Sequence, residues 1–168
     1  MNESNNLIDF SIKKVKEFSF TVDEVLFEES KQANIQFQHN TRFFEDTNLV
    51  DLTLRVYYSY DSNIPPDHIL VDFHVQNIFE VPNLKQYSKN NIDFILPQHL
   101  IVSMVSVSIS HTRSLMARNI AGSVYEENIL PIINPVEVSK AFYPHMFIEG
   151  EQDIDNRPTI KKTKKRSK

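Results

Sequence analysis

The most constraining feature of this sequence is a stretch, residues 50–60, in which apolar and polar side chains alternate with little interruption. Because successive side chains of a β-strand point to opposite faces, this period of two predicts a strand with one buried face and one polar face. Such a strand needs neighbours, so the chain is expected to build a sheet with its core on one side. The residues on the buried side are Val50, Leu52, Leu54, Val56, Tyr58 and Tyr60, and those on the other side are Asp51, Thr53, Arg55, Tyr57 and Ser59.

Three other segments repeat this period of two. A first strand begins near Ile8 and is clearest at residues 17–23, a second covers residues 34–44, and a fourth carries residues 69–75 and ends at Pro82. The link between the first two strands is too long for a tight hairpin. The sequence therefore predicts a four-stranded antiparallel sheet whose neighbouring strands form a meander, apart from that longer link.

The segment after the sheet could be either a strand or a helix. Val105, Val107 and Ile109 alternate with serines, as they would in a strand. However, Pro97 suits the first turn of a helix, and no Pro or Gly follows it until Gly122. An uninterrupted stretch of about 25 residues exceeds an ordinary strand, so we interpret it as a long helix.

The remaining segments complete an α+β fold. Residues 83–95 are interpreted as a polar linker between the sheet and the long helix. Residues 129–135 are expected to be extended, because a residue before proline avoids the helical region. Pro135 can then open a short second helix over residues 136–142. The predicted fold class is therefore α+β: a four-stranded antiparallel sheet, a long helix, an extended Pro-containing segment and a short second helix.

The charge is distributed unevenly along the chain. Residues 157–168 contain seven basic residues and no acid, which leaves 11 basic and 22 acidic residues in residues 1–156. We expect residues 1–149 to form a single domain and residues 150–168 to be a disordered basic tail. An acidic body repels nucleic-acid phosphates and favours a basic protein partner. The acidic residues that could dock such a partner are Glu45, Asp46, Asp51, Asp61 and Asp72.

Composition excludes several functional classes. The chain has no Cys, which rules out disulfides, thiolate metal sites and cysteine nucleophiles. Its two glycines are too few for a Gly-rich phosphate loop. The polar N-terminus does not resemble a signal peptide, and serines interrupt the most apolar stretch well short of a membrane span. We expect a soluble, cytoplasmic protein with no membrane insertion.

The sequence predicts no catalytic residues and no metal site. Ser110 and His111 could suggest a nucleophile and its base, but adjacent helical residues point about 100° apart and no orienting acid is indicated. The six histidines show no pair at the i, i+4 spacing of a helical metal site. We therefore expect that the protein is not an enzyme.

Four runs in the C-terminal half form a recognisable pattern: Leu96-Pro97-Gln98-His99-Leu100, Val107 to Ser114, Gly122-Ser123, and Ile129-Leu130-Pro131-Ile132-Ile133-Asn134-Pro135. With them this half of the chain resembles SecB-like proteins, the family of the protein-export chaperone SecB and its relatives. The resemblance covers about 45 positions, residues 96–140; over residues 8–80 only the order of elements matches. Ser114 stands where a small residue such as Gly is expected, and the tail is more basic than in export-type members.

This resemblance implies an ATP-independent holdase, a chaperone that binds unfolded polypeptide clients in apolar grooves without a cofactor. It implies a homotetramer built as a dimer of dimers, with SecA or a toxin–antitoxin protein as a further partner. The alternative is an adaptor of the same fold, dedicated to one partner protein.

Candidate residues for these roles follow from side-chain type and position. Met and aromatic side chains adapt to varied clients, although on a helix stripe they equally suit core packing. Small serines allow helices of neighbouring subunits to approach closely, although solvent-facing serines fit the pattern as well. Arg113 is expected to form an ion pair that fixes the helix to the sheet or to a partner subunit. The predicted client-binding residues are Met104, Met116, Phe142, Tyr143, Met146 and Phe147, and the predicted oligomer-interface residues are Ser103, Ser106, Ser110 and Arg113.

Overall fold

A computed structural model describes residues 10–63, 66, 68–89 and 93–147 of the chain, with the side chain of Asp93 excepted. The predicted start of the first strand at Ile8 and the predicted disordered tail, residues 150–168, lie outside the described residues. Four long strands, β1 (Ser11–Val22), β2 (Asn34–Phe44), β3 (Leu49–Ser59) and β4 (Val71–Glu80), precede helix α1 (Gln98–Ile120) and helix α2 (Pro135–Phe142). This confirms the predicted α+β class.

The four strands form one antiparallel sheet in the order β1-β4-β3-β2. β2, β3 and β4 form a meander, while the long link after β1 carries the chain across to the opposite edge. β3 and β4 are therefore central, and β1 and β2 are the edge strands. Two irregularities in β1, between Ile12 and Lys14 and between Glu17 and Ser19, change its register against β4.

The core lies between one face of the sheet, here called the inner face, and α1. The inner-face side chains of β3 are completely or almost completely buried, as are nine residues of α1. By length and composition α1 could also cross a membrane, but core helices pass the same test. Here α1 packs across β4 and β3, and Gly122 ends it with a φ of +79°, a left-handed conformation that suits glycine.

The segment before α1 differs from the predicted polar linker. It contains a 3-10 turn at Leu84–Tyr87 and a small hairpin of β5 (Ser88–Lys89) with β6 (Asp93–Phe94). Leu84, Phe94 and Leu96 are buried in the same cluster as the inner face of β3. The few apolar residues of this segment thus cover one end of the sheet, and the prediction of a simple linker is wrong.

Candidate functional site

The inner face of edge strand β2 is only half covered. Each of its inner-face residues pairs with a fully or almost fully buried residue of β3, such as Val56 opposite Phe37, yet the β2 side chains themselves are only partly buried. The reason is that α1 packs mainly over β4 and β3. We call this row the β2 shelf. It consists of Ile35, Phe37, His39, Thr41 and Phe43.

Helix α2 and the turn after it cover one end of the β2 shelf. The ring of Phe142 stacks on His39 with 4.1 Å between centroids, and the hydroxyls of Tyr143 and Thr41 are 2.6 Å apart. Phe43 stacks on Phe94 at 4.6 Å. The stacking of Phe142 on His39 and the hydrogen bond between Tyr143 and Thr41 therefore hold α2 against β2. The contact of Phe43 is with β6.

Burial shifts the pKa of two groups in this contact. Desolvation lowers the pKa of His39, and a hydrogen bond with the backbone of Phe142 offsets this only in part. Burial raises the pKa of Tyr143 to about 12, against the smaller effect of its hydrogen bond to Thr41. At neutral pH the tyrosine hydroxyl is therefore protonated and the neutral imidazole is favoured.

The extended segment between the helices packs against the same buried cluster as the other end of the β2 shelf. Ile133 packs in the same cluster as Ile35 and Phe37. Because an extended chain turns successive side chains to opposite sides, Ile132 points away from that cluster and is 92% exposed. Ile129 is also exposed, at 49%, as is Val136 in the first turn of α2, at 37%. The segment thus presents aliphatic side chains to solvent beside a half-covered apolar row.

The backbone of this segment is tied to α1 by Arg113. Its Nε donates to the carbonyl oxygen of Leu130 at 2.9 Å, and its Nη2 donates to the carbonyl of Pro131. Among the described residues Arg113 has no carboxylate partner, so the predicted ion pair is replaced by backbone carbonyls. Carbonyls of an extended segment that joins no sheet need such donors.

The predicted client-binding residues divide into two groups. Met104 and Met116 are fully buried between α1 and the sheet, and Tyr143 and Met146 are almost fully buried. Phe142 and Phe147 are half-buried at the edge of the larger core cluster. Phe142 and Tyr143 touch the β2 shelf, whereas neither Met104 nor Met116 reaches the surface. Their role in client binding stays a prediction.

The predicted interface serines lie on the side of α1 that is turned away from the sheet. The hydroxyls of Ser103 and Ser110 donate to the carbonyls of His99 and Ser106, at 2.7 and 2.9 Å. Such bonds to the preceding turn leave a smooth, small-residue flank. Ser106 belongs to the same flank and is half exposed.

Ser110 and His111, the pair that could suggest a nucleophile and its base, form hydrogen bonds with different partners. Nδ1 of His111 is 2.7 Å from the amide oxygen of Asn77 on β4, while Ser110 bonds within α1. Within the described part of the chain, no group of three or more His, Asp and Glu side chains could hold a metal ion.

The chain is similar to a solved structure of a SecB-like chaperone. No family model and no curated protein matches this chain. The SecB-like chaperone Rv1957 of Mycobacterium tuberculosis, solved in complex with a ChAD peptide from the antitoxin HigA1 (Rv1956), aligns with 74% of this chain and 89% of its own. The two chains share 10% sequence identity and superpose with a TM-score of 0.47.

Proposed function

We propose that this protein is an ATP-independent holdase that binds unfolded or non-native polypeptide along the β2 shelf. The observation that carries the proposal is the half-covered inner row of an edge strand beside the exposed Ile129, Ile132 and Val136. Apolar surface left open next to a polar rim is typical of a surface that binds other polypeptides.

The free edge of β2 supplies the second element of such a site. Among the described residues, β2 pairs with β3 alone, so backbone N–H and C=O groups along its outer side have no strand partner. An extended polypeptide can pair with such an edge whatever its sequence, because the hydrogen bonds are made by the main chain. The adjoining apolar row then selects segments that are rich in hydrophobic residues.

The proposal includes self-association in the cytoplasm. Ser103, Ser106 and Ser110 give α1 an outer flank that a second helix can approach closely. We propose that copies associate through it into a homotetramer, the dimer of dimers that the resemblance to SecB-like proteins implies. Native mass spectrometry tests this part. A mass of four chains is expected, and a monomer at micromolar concentration would contradict it. SecA and toxin–antitoxin proteins remain predicted partners.

An aggregation assay with paired variants tests the holdase function. Several unrelated proteins are diluted from denaturant, and their light scattering is followed with this protein at near-stoichiometric ratio. The wild type should suppress aggregation of all of them. The double variant Ile132→Ser/Val136→Ser should suppress less, because it removes apolar contact area worth about 25 cal/mol per Å².

Val25→Ser/Val124→Ser is the matched control. Its two valines are also exposed, at 94% and 45%, but they lie outside both the extended segment and α2. It should retain wild-type suppression. Equal loss in both double variants would show that any exposed aliphatic side chain suffices, and protection of one partner only would replace the holdase with a dedicated adaptor.

A further inference from the structure

The sheet has a second face, turned away from both helices, which we call the open face. Strand register places its side chains in rows that cross all four strands. One row contains Lys14 on β1, Ile78 on β4, Asp51 on β3 and Arg42 on β2. The adjacent rows are Lys16, Gln76, Thr53 and Asn40, and then Ser19, His74, Arg55 and Gln38.

The charge of the open face is opposite to that of its surroundings. The four strands place five basic side chains on it, against three acidic ones. The rest of residues 1–156 carries six basic and 19 acidic residues. A positive patch is thus set in an acidic domain. The charged side chains of the open face are Lys13, Lys14, Lys16, Arg42 and Arg55, with Asp51, Asp72 and Glu80.

The acidic side chains of the open face form ion pairs with basic side chains of the same face. Asp51 accepts from Arg42 at 2.5 Å and from Gln76 at 2.9 Å. Arg55 binds Asp72 through two nitrogens, at 2.8 and 2.7 Å. Burial would raise the pKa of Asp72, but its contacts with Arg55, and more weakly with His74, leave that pKa lowered. The expected docking of a basic partner on Asp51 and Asp72 therefore finds no free carboxylate there.

The open-face charges without an ion-pair partner among the described residues are those of two lysines. Lys14 and Lys16 are exposed and form no ion pair with any residue that the structure describes. Arg42 donates to Asp51 through one nitrogen, and 59% of its side chain is exposed. A hollow of about 390 Å³ on this face is lined by Arg42 and Arg55. Phe18, which is 64% exposed beside Lys16, lines one side of it.

We propose that the open face binds an acidic, extended segment of a partner protein. Its carboxylates would reach Lys14 or Lys16 at one end and Arg42 at the other, with a side chain resting against Phe18 in the hollow. The two ends are three strand spacings apart, about 14 Å at roughly 4.8 Å per spacing, which an extended chain covers in four or five residues. The site lies on the opposite side of the sheet from the β2 shelf and does not depend on the holdase proposal.

A polypeptide fits this surface better than a nucleic acid does. Phosphates follow one another without a neutral gap, and they would meet Asp51, Asp72, Glu80 and the acidic surroundings. A peptide can instead place neutral residues opposite those carboxylates. The probe is therefore a fluorescein-labelled octapeptide of alternating Glu and Ser, which has no apolar side chain for the β2 shelf.

Fluorescence anisotropy at about 50 mM salt tests the proposal on the full chain. The wild type should bind the Glu–Ser peptide, and binding should weaken as salt increases. Lys14→Gln/Lys16→Gln should bind it about threefold to tenfold more weakly, the range expected for losing two exposed charge contacts. Lys31→Gln/Lys85→Gln has the same net charge but keeps the open face, and it should bind like the wild type.

Four outcomes would overturn the proposal: no binding of the Glu–Ser peptide at low salt, equal weakening in both double variants, equal binding of a labelled Lys–Ser peptide, or tighter binding of a single-stranded 20-nucleotide DNA.

Circular dichroism of both variants confirms that each is folded before the affinities are compared. Since the substituted lysines are exposed on the surface, both variants are expected to fold.

Discussion

At the scale of single residues, Arg113 ties the extended segment to α1. Two of its guanidinium nitrogens donate to consecutive carbonyls, those of Leu130 and Pro131. Hydrogen bonds from a charged donor contribute more than those between neutral groups, about 1.5–3 kcal/mol. One side chain on α1 thus holds the backbone that presents Ile132 to solvent.

Replacing this arginine should cost more stability than replacing its neighbour on the same helix. Arg113→Gln should lower the free energy of unfolding by about 1–3 kcal/mol, because two carbonyls lose their donors. Arg118→Gln is the control: Arg118 is 68% exposed in its 3.2 Å contact with Glu17, and such surface pairs contribute about 0–1 kcal/mol. Urea denaturation measures both. A loss at Arg113 no larger than at Arg118 would contradict the role given to it.

The sequence indicated that Arg113 is important but not what it binds. Arginine on a helix with acids elsewhere suggests an ion pair, and no local pattern shows which distant backbone atoms lack partners. The same holds for Asp51 and Asp72. Both are acidic in the sequence, but their pairing with Arg42 and Arg55 depends on strand register across the sheet.

At the scale of secondary-structure elements, α2 depends on its docking contacts to hold its place. It has eight residues, too few for a stable isolated helix. An N-cap bond from Val136 N to the Asn134 side chain, at 3.0 Å, supports its start, and Phe142 and Tyr143 dock its end on the β2 shelf. Loss of that docking would uncover His39 and Thr41.

Acidification should weaken this docking. Because burial lowers the pKa of His39 below its usual value of about 6.5, the unfolded chain binds a proton more readily than the folded one. The stabilisation that neutral His39 gives the folded state is therefore fully present above about pH 6.5. It is lost as the pH falls below about 6.5 towards the pKa of His39 in the folded state. His111, whose pKa burial also lowers, contributes in the same direction.

Thermal unfolding at pH 7.5 and pH 5.5 measures this effect. The melting temperature of the wild type should fall on acidification, and that of His39→Gln should fall less. His99→Gln serves as the control, since His99 is exposed at the start of α1. An identical decrease in the wild type and in His39→Gln would show that the stacked imidazole does not govern the pH dependence.

The elements themselves were largely predictable from the sequence. Alternation over residues 50–60 and a proline-free stretch from residue 98 to 121 are local signals, and the structure confirms a strand and a helix there. Residues 83–95 were misread because their apolar side chains, among them the buried Leu84 and Phe94, are scattered among polar ones and follow no clear period. Their burial depends on the position of the sheet's end, which is not a local property.

At the scale of the whole molecule, uneven coverage of the sheet creates the candidate site. α1 covers the central strands on the inner face, so β2 remains half exposed, and the open face remains uncovered by either helix. Which strand forms the edge follows from the long link between β1 and β2, and this topology cannot be read from side-chain period alone. The β2 shelf was therefore not predicted, although each of its residues was assigned to a strand.

Hydrogen exchange with a bound client tests the central claim most directly. The protein is mixed with a permanently unfolded polypeptide, and amide protection is compared with that of the protein alone. Amides of β2 that point away from β3 should gain protection, together with those of residues 129–134, while the equivalent amides of edge strand β1 should not. Protection confined to β1, or unchanged protection in β2 with the client bound, would contradict this account.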